Sequence, residues 1–334
     1  MPWEKFLKPI KLLRSQMLNE KAFKSRIELI NRRLSLMKRV KNGSLKFLLG
    51  NINLYAGKRI RGLLVLLTAE AAAGRSSRGA LDAACAMEIL HHATLIHDDI
   101  IDNAKKRRGG PALNRRLGYE FSVLAGDYLF SKASKIITGS GRDIFNVFVD
   151  AVGKVCEGEI DEVYNKNNPS VSAAKYTDII RKKTAALIKA SVMTGALSAG
   201  VNAGRLKSLA EFGEKTGLAF QIRDDILDMT SNEKALGKPA GNDIREGKAT
   251  LPFILALKNA EPAGRRRAKK LFREKKSGPL LKFIRDNNGI EAAQKEAEKL
   301  SGSAKKALNR AGLRHREKRE MLERMADYAV TRKR

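Results

Sequence analysis

The sequence is poor in the residues that interrupt or cross-link a chain. Only 8 prolines, 1 tryptophan and 2 cysteines occur in 334 residues, and aromatic residues make up 6%. Two cysteines exclude a disulfide-rich scaffold, and no apolar run reaches the roughly 18 residues that a membrane-spanning helix needs. Cys85 and Cys156 lie within apolar helical patterns. We therefore interpret both as reduced core residues of a cytoplasmic protein.

Negative charge is also scarce, with 36 Asp+Glu against 66 Lys+Arg and a net charge of +30. Such a field attracts anions, whether nucleic acid, acidic lipid head groups or phosphorylated substrates. The excess is concentrated near both ends, for example in GRRRAKKLFREKK. No nucleic-acid reader motif accompanies it, so no nucleic-acid partner is expected. A solvated basic surface and weak attachment to anionic membranes, with a peripheral location there, both stay open.

Hydrophobic residues make up 43% of the chain, which indicates a globular protein. Apolar residues recur at three- and four-residue spacing, and strand-like alternation is scarce. We predict an all-α fold with one domain over residues 1–334, a motif-bearing core at about 45–260 and a basic helical part at 261–334. The predicted helices cover 60–74, 80–101, 116–138, 142–165, 173–200, 205–229 and 291–300, with another in KATLPFILALK. The main loops are predicted at 105–111, 139–142, 165–172, 231–247 and 260–264.

Two apolar helices each carry an acidic triplet near their C-terminal ends. DDIID supplies Asp98, Asp99 and Asp102, and DDILD supplies Asp224, Asp225 and Asp228. On a helix, positions i and i+4 share a face, whereas i+1 lies about 100° round. Carboxylates this close repel one another unless a cation neutralises them, and hard oxygen ligands suit Mg²⁺. A single triplet is more often a solvated helix face, but the repetition indicates a metal-bridged anion at the mouth of a cavity.

The sequence resembles the polyprenyl synthetase family, the trans-prenyl diphosphate synthases, in six separated motifs that occur in the family's order. In order they are GKRIR, HATLIHDDIID followed by RRG, EGEI, RKKTAAL, GLAFQIRDDILD and GKPAGNDIREGKATLP. The resemblance runs from residue 57 to residue 254, with a weaker echo in ADYAVTRKR. It implies the isoprenoid synthase fold, a helical bundle around a central cavity, and a homodimer. It also implies a transferase that condenses isopentenyl diphosphate with an allylic diphosphate.

The resemblance assigns roles position by position. It implies that Mg²⁺, three ions per site and replaceable by Mn²⁺, is held by Asp98, Asp99, Asp102, Asp224, Asp225 and Asp228. The allylic diphosphate contacts are Arg107, Lys183, Thr184, Gln221, Lys238 and Lys248, with Asp243 in the same loop as Lys248. The isopentenyl diphosphate contacts are Lys58, Arg61, His91 and Arg108. The residues expected to carry catalysis are Asp98, Asp102, Lys183, Gln221 and Asp224.

Product length is expected to depend on the residues just before the first acidic triplet, which line the product tunnel in this family. Ala93 and Thr94 are small, so the floor is expected deeper. It is expected at bulky residues one turn away or on neighbouring helices, namely Leu90, Ile89 or Met87, or Tyr128, Phe130 and Tyr164. The implied product is geranylgeranyl or a longer polyprenyl diphosphate.

Two positions depart from the family pattern. Gly62 replaces the usual proline, which is expected to loosen that helix start, and Glu162 replaces a common glutamine. A type I terpene cyclase is the rival enzyme, but it has no use for a second diphosphate site and typically lacks DDILD. A basic nucleic-acid-binding or membrane-binding helical protein would explain the charge, but it would not explain two acidic triplets.

Overall fold

Helices form nearly all of the regular structure in the described residues. The computed structural model describes residues 20–37, 40–54, 57–107, 110–230 and 240–333. The predicted all-α class is confirmed. In chain order the elements are α1 (Lys21–Met37), α2 (Gly43–Gly50), α3 (Ile60–Ala73), α4 (Arg78–Ile101), β1 (Lys106–Arg107), β2 (Gly110–Pro111), α5 (Leu113–Thr138), α6 (Arg142–Tyr164), α7 (Ala173–Ile180), a π-turn (Arg181–Ala185), α8 (Ala186–Ser198), α9 (Ala203–Thr230), α10 (Asn242–Glu246), α11 (Leu251–Asn259), α12 (Pro262–Arg273), α13 (Ser277–Asp286), α14 (Gly289–Arg310) and α15 (Arg316–Thr331).

Each helix predicted from apolar spacing is present, and three predicted regions are refined. The helix expected over 173–200 is divided by the π-turn, and the loop at 105–111 contains the antiparallel pair β1–β2. The loop expected over 231–247 contains α10, while residues 231–239 lie outside the described part of the chain. In that described part, no helix is both long and apolar enough to cross a membrane.

Helix α3 is deeply buried because it presents apolar residues on all of its faces. Ten of its residues are buried, from Gly62 to Ala71. A helix that is apolar all round must lie in the interior. It packs against α4, α8 and α15, while α9 packs along α8 and α14, and α5 runs beside α4. Helices α3, α4, α6, α8 and α9 therefore enclose the space that receives both acidic triplets.

The two cysteines have different environments. Cys85 lies in the core of α4 and is buried, as predicted. Cys156 is exposed, so the prediction that it is a core residue is wrong. The reason is helical geometry: α6 turns Val155 into the core, and the next residue along the helix points away from it.

Candidate active site

The acidic triplets open onto two adjoining cavities. The first, of about 260 Å³, is lined by Asp98, Asp102, Asp225, Asp228 and Asp243, and we call it the acidic cavity. The second, of about 420 Å³, is lined by Lys58, Arg61, His91, Asp224 and Arg332, and we call it the basic cavity. The two cavities share the wall formed by Asp98, Arg107, Lys183, Thr184 and Gln221. The regions around residues 98 and 224 therefore meet at one site.

The first triplet divides its carboxylates between the cavity and the protein. Asp98 and Asp102 both face the acidic cavity, as their i, i+4 spacing predicts. Asp99 lines neither cavity. It is buried, and its Oδ1 accepts a hydrogen bond from Arg107 Nε at 2.8 Å. Asp99 thus holds Arg107 in the shared wall. Asp99 was expected to lie with the carboxylates of the cavity, and the structure does not place it there.

The second triplet is divided differently from the expectation. Asp225 and Asp228 face the acidic cavity, whereas Asp224 faces the basic cavity. The Asp224 carboxylate pairs with Arg332, with Oδ1 2.5 Å from Nη2. Arg332 lies near the end of α15 and also covers the ring of Phe220, 3.7 Å from the ring centre. Arg332 is a site residue that the sequence signalled only through its basic ADYAVTRKR segment.

A hydrogen-bonded chain connects the shared wall to the second triplet. The Thr184 hydroxyl donates to Gln221 Oε1 at 2.8 Å, and Gln221 Nε2 donates to Asp225 Oδ1 at 2.8 Å. The Tyr176 hydroxyl donates to Asp225 Oδ2 at 2.5 Å. Burial raises the pKa of Asp225 above its ordinary value, although these hydrogen bonds oppose the shift. Thr184 and Gln221 are therefore held in fixed orientations between the cavities.

The π-turn brings Lys183 and Thr184 to the shared wall. It interrupts the α7–α8 helix at Arg181–Ala185, and such single π-turns often occur at functional sites. The turn packs against α6 at Gly158, where a Cβ atom would overlap the Lys183 backbone. Gly158 therefore allows the close approach that places Lys183 between the cavities. Sequence periodicity could not reveal this turn, because it disturbs the helical repeat by a single residue.

The ammonium groups of two lysines partly compensate the negative charge of the carboxylates around the acidic cavity. Lys183 Nζ lies 2.6 Å from both Glu159 Oε2 and Glu162 Oε2. Lys248 Nζ lies 2.9 Å from Asp102 Oδ2 and 3.3 Å from Glu162 Oε2. Burial would raise the pKa of Glu162, but these two ammonium groups outweigh burial and lower it. Glu162, the departure from the family glutamine, thus places a further carboxylate between two lysines.

The other carboxyl groups of the acidic cavity are less well compensated. Burial raises the pKa of Asp98 to about 7, although Lys183 opposes the shift. Burial and the neighbouring carboxylates of Asp228 and Asp225 raise the pKa of Asp243 well above its usual value. Burial is the main cause of both shifts, and buried carboxyl groups with shifted pKa values are typical of functional sites.

The donor set of the acidic cavity fits Mg²⁺. Its carboxylates supply the hard oxygen ligands that the ion prefers. In the described part of the chain, no three His, Cys, Asp or Glu side chains converge closely enough to form a complete metal site. Mg²⁺ usually takes one or two carboxylates and completes its coordination with water and substrate phosphates. Carboxylates on the walls of a cavity of about 260 Å³ are consistent with that mode of Mg²⁺ binding.

The basic cavity carries the residues expected at the isopentenyl diphosphate site. Lys58, Arg61 and His91 all line it. Arg59, between the two cations, also contributes to its wall, but the side chain is 1% exposed and is held by buried contacts. Arg108 and Lys238, the remaining predicted contacts, lie outside the described residues.

The predicted chain-length residues separate in the structure. Thr94 lies on the wall of the basic cavity, but Ala93 is 2% exposed and belongs to the packed core. Tyr164 is 86% exposed, so the expectation that it could form a tunnel floor is wrong. Adjacent helical positions point about 100° apart, which is why only one of the pair reaches the cavity.

Comparisons with known proteins agree in family and in fold. The polyprenyl synthetase sequence profile matches residues 46–283. The short chain isoprenyl diphosphate synthase of Methanocaldococcus jannaschii is 35% identical over 294 residues, 83% of this chain and 85% of that protein. The corresponding protein of Methanothermobacter thermautotrophicus is 42% identical over 216 residues, 63% of this chain and 66% of that protein.

The backbone also matches a solved structure over nearly its whole length. It is similar to the polyprenyl synthase from Caulobacter crescentus CB15, whose crystal structure contains calcium and isoprenyl diphosphate. The TM-score is 0.84 at 32% identity, and the match covers 96% of this chain and 98% of that one. The predicted isoprenoid synthase fold is thereby confirmed.

Proposed function

The chain belongs to the polyprenyl synthetase family and is a prenyltransferase, and we propose that it condenses isopentenyl diphosphate with an allylic diphosphate. Repeated condensation would give geranylgeranyl diphosphate or a longer polyprenyl diphosphate.

The opposite charge of the two cavities carries this proposal. Among the described residues, seven carboxyl groups and three cationic side chains line the acidic cavity. Six cationic side chains and three carboxyl groups line the basic cavity. A diphosphate would enter the acidic cavity only together with metal cations, whereas the basic cavity would bind one directly. Two anion sites of different kinds, sharing one wall, suit a reaction that joins two diphosphate esters.

The reaction requires a carbon–oxygen bond of the allylic substrate to break, with both electrons leaving on diphosphate. The double bond of isopentenyl diphosphate then attacks the allylic cation, and the departing diphosphate accepts the proton that is lost. Lys183 and Arg107 meet the negative charge of the leaving group from the shared wall. The oxygens of Thr184 and Gln221, hydrogen-bonded to each other in the shared wall, would stabilise the cation.

Asp98 and Asp102 would hold Mg²⁺ from the first triplet, with Asp225 and Asp228 facing them from the second. Asp224 would join them after release from Arg332. We propose Mg²⁺ as the cofactor, with three ions per site and Mn²⁺ as a substitute. When bound, the metal would supply positive charge that offsets the charge developing on the leaving diphosphate.

The basic cavity favours condensation over the rival reactions. A type I terpene cyclase takes a single diphosphate and would have no use for the cationic wall formed by Lys58, Arg61 and Arg332. A protein that binds nucleic acid would repel its partner with the carboxylates of the acidic cavity. The small Thr94 on the cavity wall supports a product longer than farnesyl diphosphate.

Binding of each substrate with and without metal tests the assignment. We expect isopentenyl diphosphate to bind in EDTA, measured by equilibrium dialysis, whereas a nonhydrolysable allylic diphosphate analogue should bind only with Mg²⁺. Sizing the products made from labelled isopentenyl diphosphate and each allylic primer completes the test. Absence of isopentenyl incorporation would refute the proposal, and farnesyl diphosphate as sole product would refute its product length.

An apolar face on α5 and α6 supports a homodimer. Nine of the thirteen large exposed hydrophobic side chains of the described residues lie on these two helices, including Leu124 at 59% exposure and Ile160 at 69% exposure. Large exposed apolar surfaces often mark protein–protein interfaces. We expect light scattering to report a dimer and Leu124→Asp to shift it toward monomer. Leu29→Asp, at an exposed leucine of α1, is the control and should leave the dimer intact.

A basic patch on α12 and α13 supports weak attachment to anionic membranes. In the described part of the chain, only one of its exposed cations has an acidic partner, Lys270 at 3.9 Å from Glu274. Because the apolar side of α12 is buried at Ala268 and Phe272, attachment would be electrostatic and would weaken with salt. The exposed cations of this α12–α13 basic patch are Lys258, Arg265, Arg266, Arg267, Lys270, Arg273, Lys275, Lys276, Lys282 and Arg285.

Vesicle sedimentation tests the patch. We expect pelleting with phosphatidylglycerol vesicles at low salt and none with phosphatidylcholine. Changing Arg265, Arg266 and Arg267 to glutamate should abolish it, whereas the same change at exposed cations of α14 should not. Those control positions are Lys295, Lys299 and Lys306. No pelleting of the unmodified protein at low salt would refute the attachment.

A further inference from the structure

A buried carboxylate supports the start of helix α3, where two cations of the basic cavity are found. Glu88 of α4 is 3% exposed. Its Oε1 accepts a hydrogen bond from the Gly62 backbone N–H at 2.9 Å, and its Oε2 lies 3.5 Å from Arg59 Nη1. The first N–H groups of a helix have no partner within the helix, and an acidic group there is favourable. Glu88 therefore caps α3 from a neighbouring helix.

The turn that precedes α3 has a backbone conformation that needs such support. Arg59 has φ 54° and ψ 35°, the left-handed region that side chains other than glycine seldom adopt. Its guanidinium points inward, donating from Nε to Asn31 Oδ1 at 2.7 Å and from Nη2 to the Leu54 carbonyl. Lys58 and Arg61 on either side of it line the basic cavity, and Arg59 and Glu88 also belong to its wall. The buried contacts of Arg59 therefore fix the turn that carries these two cations.

Gly62 explains why Glu88 can reach the helix. Proline, usual in the family at this position, has no N–H to donate. A Cβ atom at residue 62 would lie 2.9 Å from Ile30 Cδ1 and 3.3 Å from Glu88 Cγ. The glycine thus supplies both the donor and the space for Glu88. The helix start is hydrogen-bonded across to α4, and the expectation that Gly62 loosens it is wrong.

We propose that Glu88 is a positioning residue for isopentenyl diphosphate, acting through Arg59 and Gly62 on the direction of Lys58 and Arg61. The inference rests on the proposed function, which assigns this substrate to the basic cavity. Both Glu88 oxygens face protein donors, so its charge is largely compensated before the substrate arrives. Loss of that charge leaves a buried guanidinium short of an acidic partner and frees the turn to change direction.

Glu88→Gln is the first test, because glutamine keeps the size and an acceptor for Gly62 but removes the charge that faces Arg59. We expect the KM for isopentenyl diphosphate to rise about 10-fold, the effect of one charged hydrogen bond. The KM for farnesyl diphosphate, the allylic substrate, should stay within about twofold, because the acidic cavity is untouched. Gly62→Pro removes the donor and crowds Glu88 at Cγ while leaving both charged groups in the chain, so it should raise the same KM.

Glu70→Gln is the matched control. Glu70 is also a buried carboxylate and lies on α3 itself. Its Oε2 accepts a hydrogen bond from Arg26 Nε at 2.9 Å, but Glu70 lines neither cavity. The Glu70→Gln substitution should lower the thermal stability of the protein without raising the KM for isopentenyl diphosphate. An unchanged KM for isopentenyl diphosphate in both test variants, or equal rises for both substrates, would overturn the role of Glu88. Failure of the unmodified enzyme to incorporate isopentenyl units would instead refute the proposed function.

Discussion

Lys248→Met is the most direct probe of how the acidic cavity is held together without ligand. The Lys248 ammonium lies 2.8 Å from Glu246 Oε2, 2.9 Å from Asp102 Oδ2 and 3.3 Å from Glu162 Oε2. The four side chains are only 15–22% exposed. Methionine keeps the length of the side chain but leaves three neighbouring carboxylates without their shared cation.

The expected loss in the free energy of unfolding lies between the values for buried and for exposed ion pairs. Removing one partner of a buried pair costs roughly 3–5 kcal/mol, and an exposed pair contributes about 0–1 kcal/mol. At this partial exposure we expect a loss of about 2 kcal/mol, or a fall in Tm of about 3–5 °C. Thermal unfolding in EDTA, followed by circular dichroism, measures it. Lys154→Met, which removes a 54% exposed lysine paired with Glu157, is the control and should change Tm by about 1 °C or less.

Added Mg²⁺ and pH sharpen the test. Because Mg²⁺ would bind the freed carboxylates, it should raise the Tm of Lys248→Met more than that of the unmodified protein. Burial would lower the pKa of Lys248, but its carboxylate partners outweigh burial and raise that pKa. A raised lysine pKa means that this stabilisation is complete below the ordinary pKa and is lost only at higher pH. Titration of Lys248 itself should therefore make no contribution to the Tm difference between pH 6 and pH 8. A variant as stable as the unmodified protein in EDTA, or one that is indifferent to Mg²⁺, would refute this view of the cavity.

Three further predictions concern product length, the π-turn and the thiols. Thr94→Phe should shorten the product by narrowing the cavity, whereas Ala93→Phe should overpack the core and cost about 1–3 kcal/mol, as product sizing and thermal unfolding would show. Gly158→Ala should lower kcat roughly 10-fold or more by displacing Lys183, and Gly153→Ala, which adds a methyl group in open space on the same helix, should leave kcat unchanged. A thiol reagent at pH 8 should titrate the single exposed cysteine, because burial raises the pKa of Cys85 to about 12, and it should titrate both cysteines only after unfolding.

Much of the fold and part of the site could be predicted from residue spacing. The three- and four-residue repeats located the helices, because each needs an apolar face toward the core. The i, i+4 rule placed Asp98 and Asp102 on the cavity they share. The rule put Asp99 about 100° round the helix, where it was expected to support the metal from the side, but spacing could not reveal that it is paired with Arg107 instead.

The remaining features depend on contacts between distant parts of the chain. Arg332 meets Asp224 across 108 positions of sequence, and nothing local to either residue indicates the pair. Glu88 has the pattern of an ordinary helix residue until α3 is placed beside it. Ala93 and Thr94 have the same small size, and only packing decides which of them faces the cavity. Tertiary partners, rather than local propensity, determine these roles.

The crowding of acids and cations in the sequence has one physical explanation. Without ligand, Lys183 and Lys248 act as counter-ions for carboxylates that would otherwise repel one another, and Arg332 does the same for Asp224. Each of these cations also lines a cavity proposed to bind diphosphate. If metal cations arrive with the allylic substrate, the carboxylates gain new partners and the lysines and Arg332 become available to the diphosphates. The same set of charges can therefore pair with one another and bind the substrates, which explains why the acids and the cations are kept together.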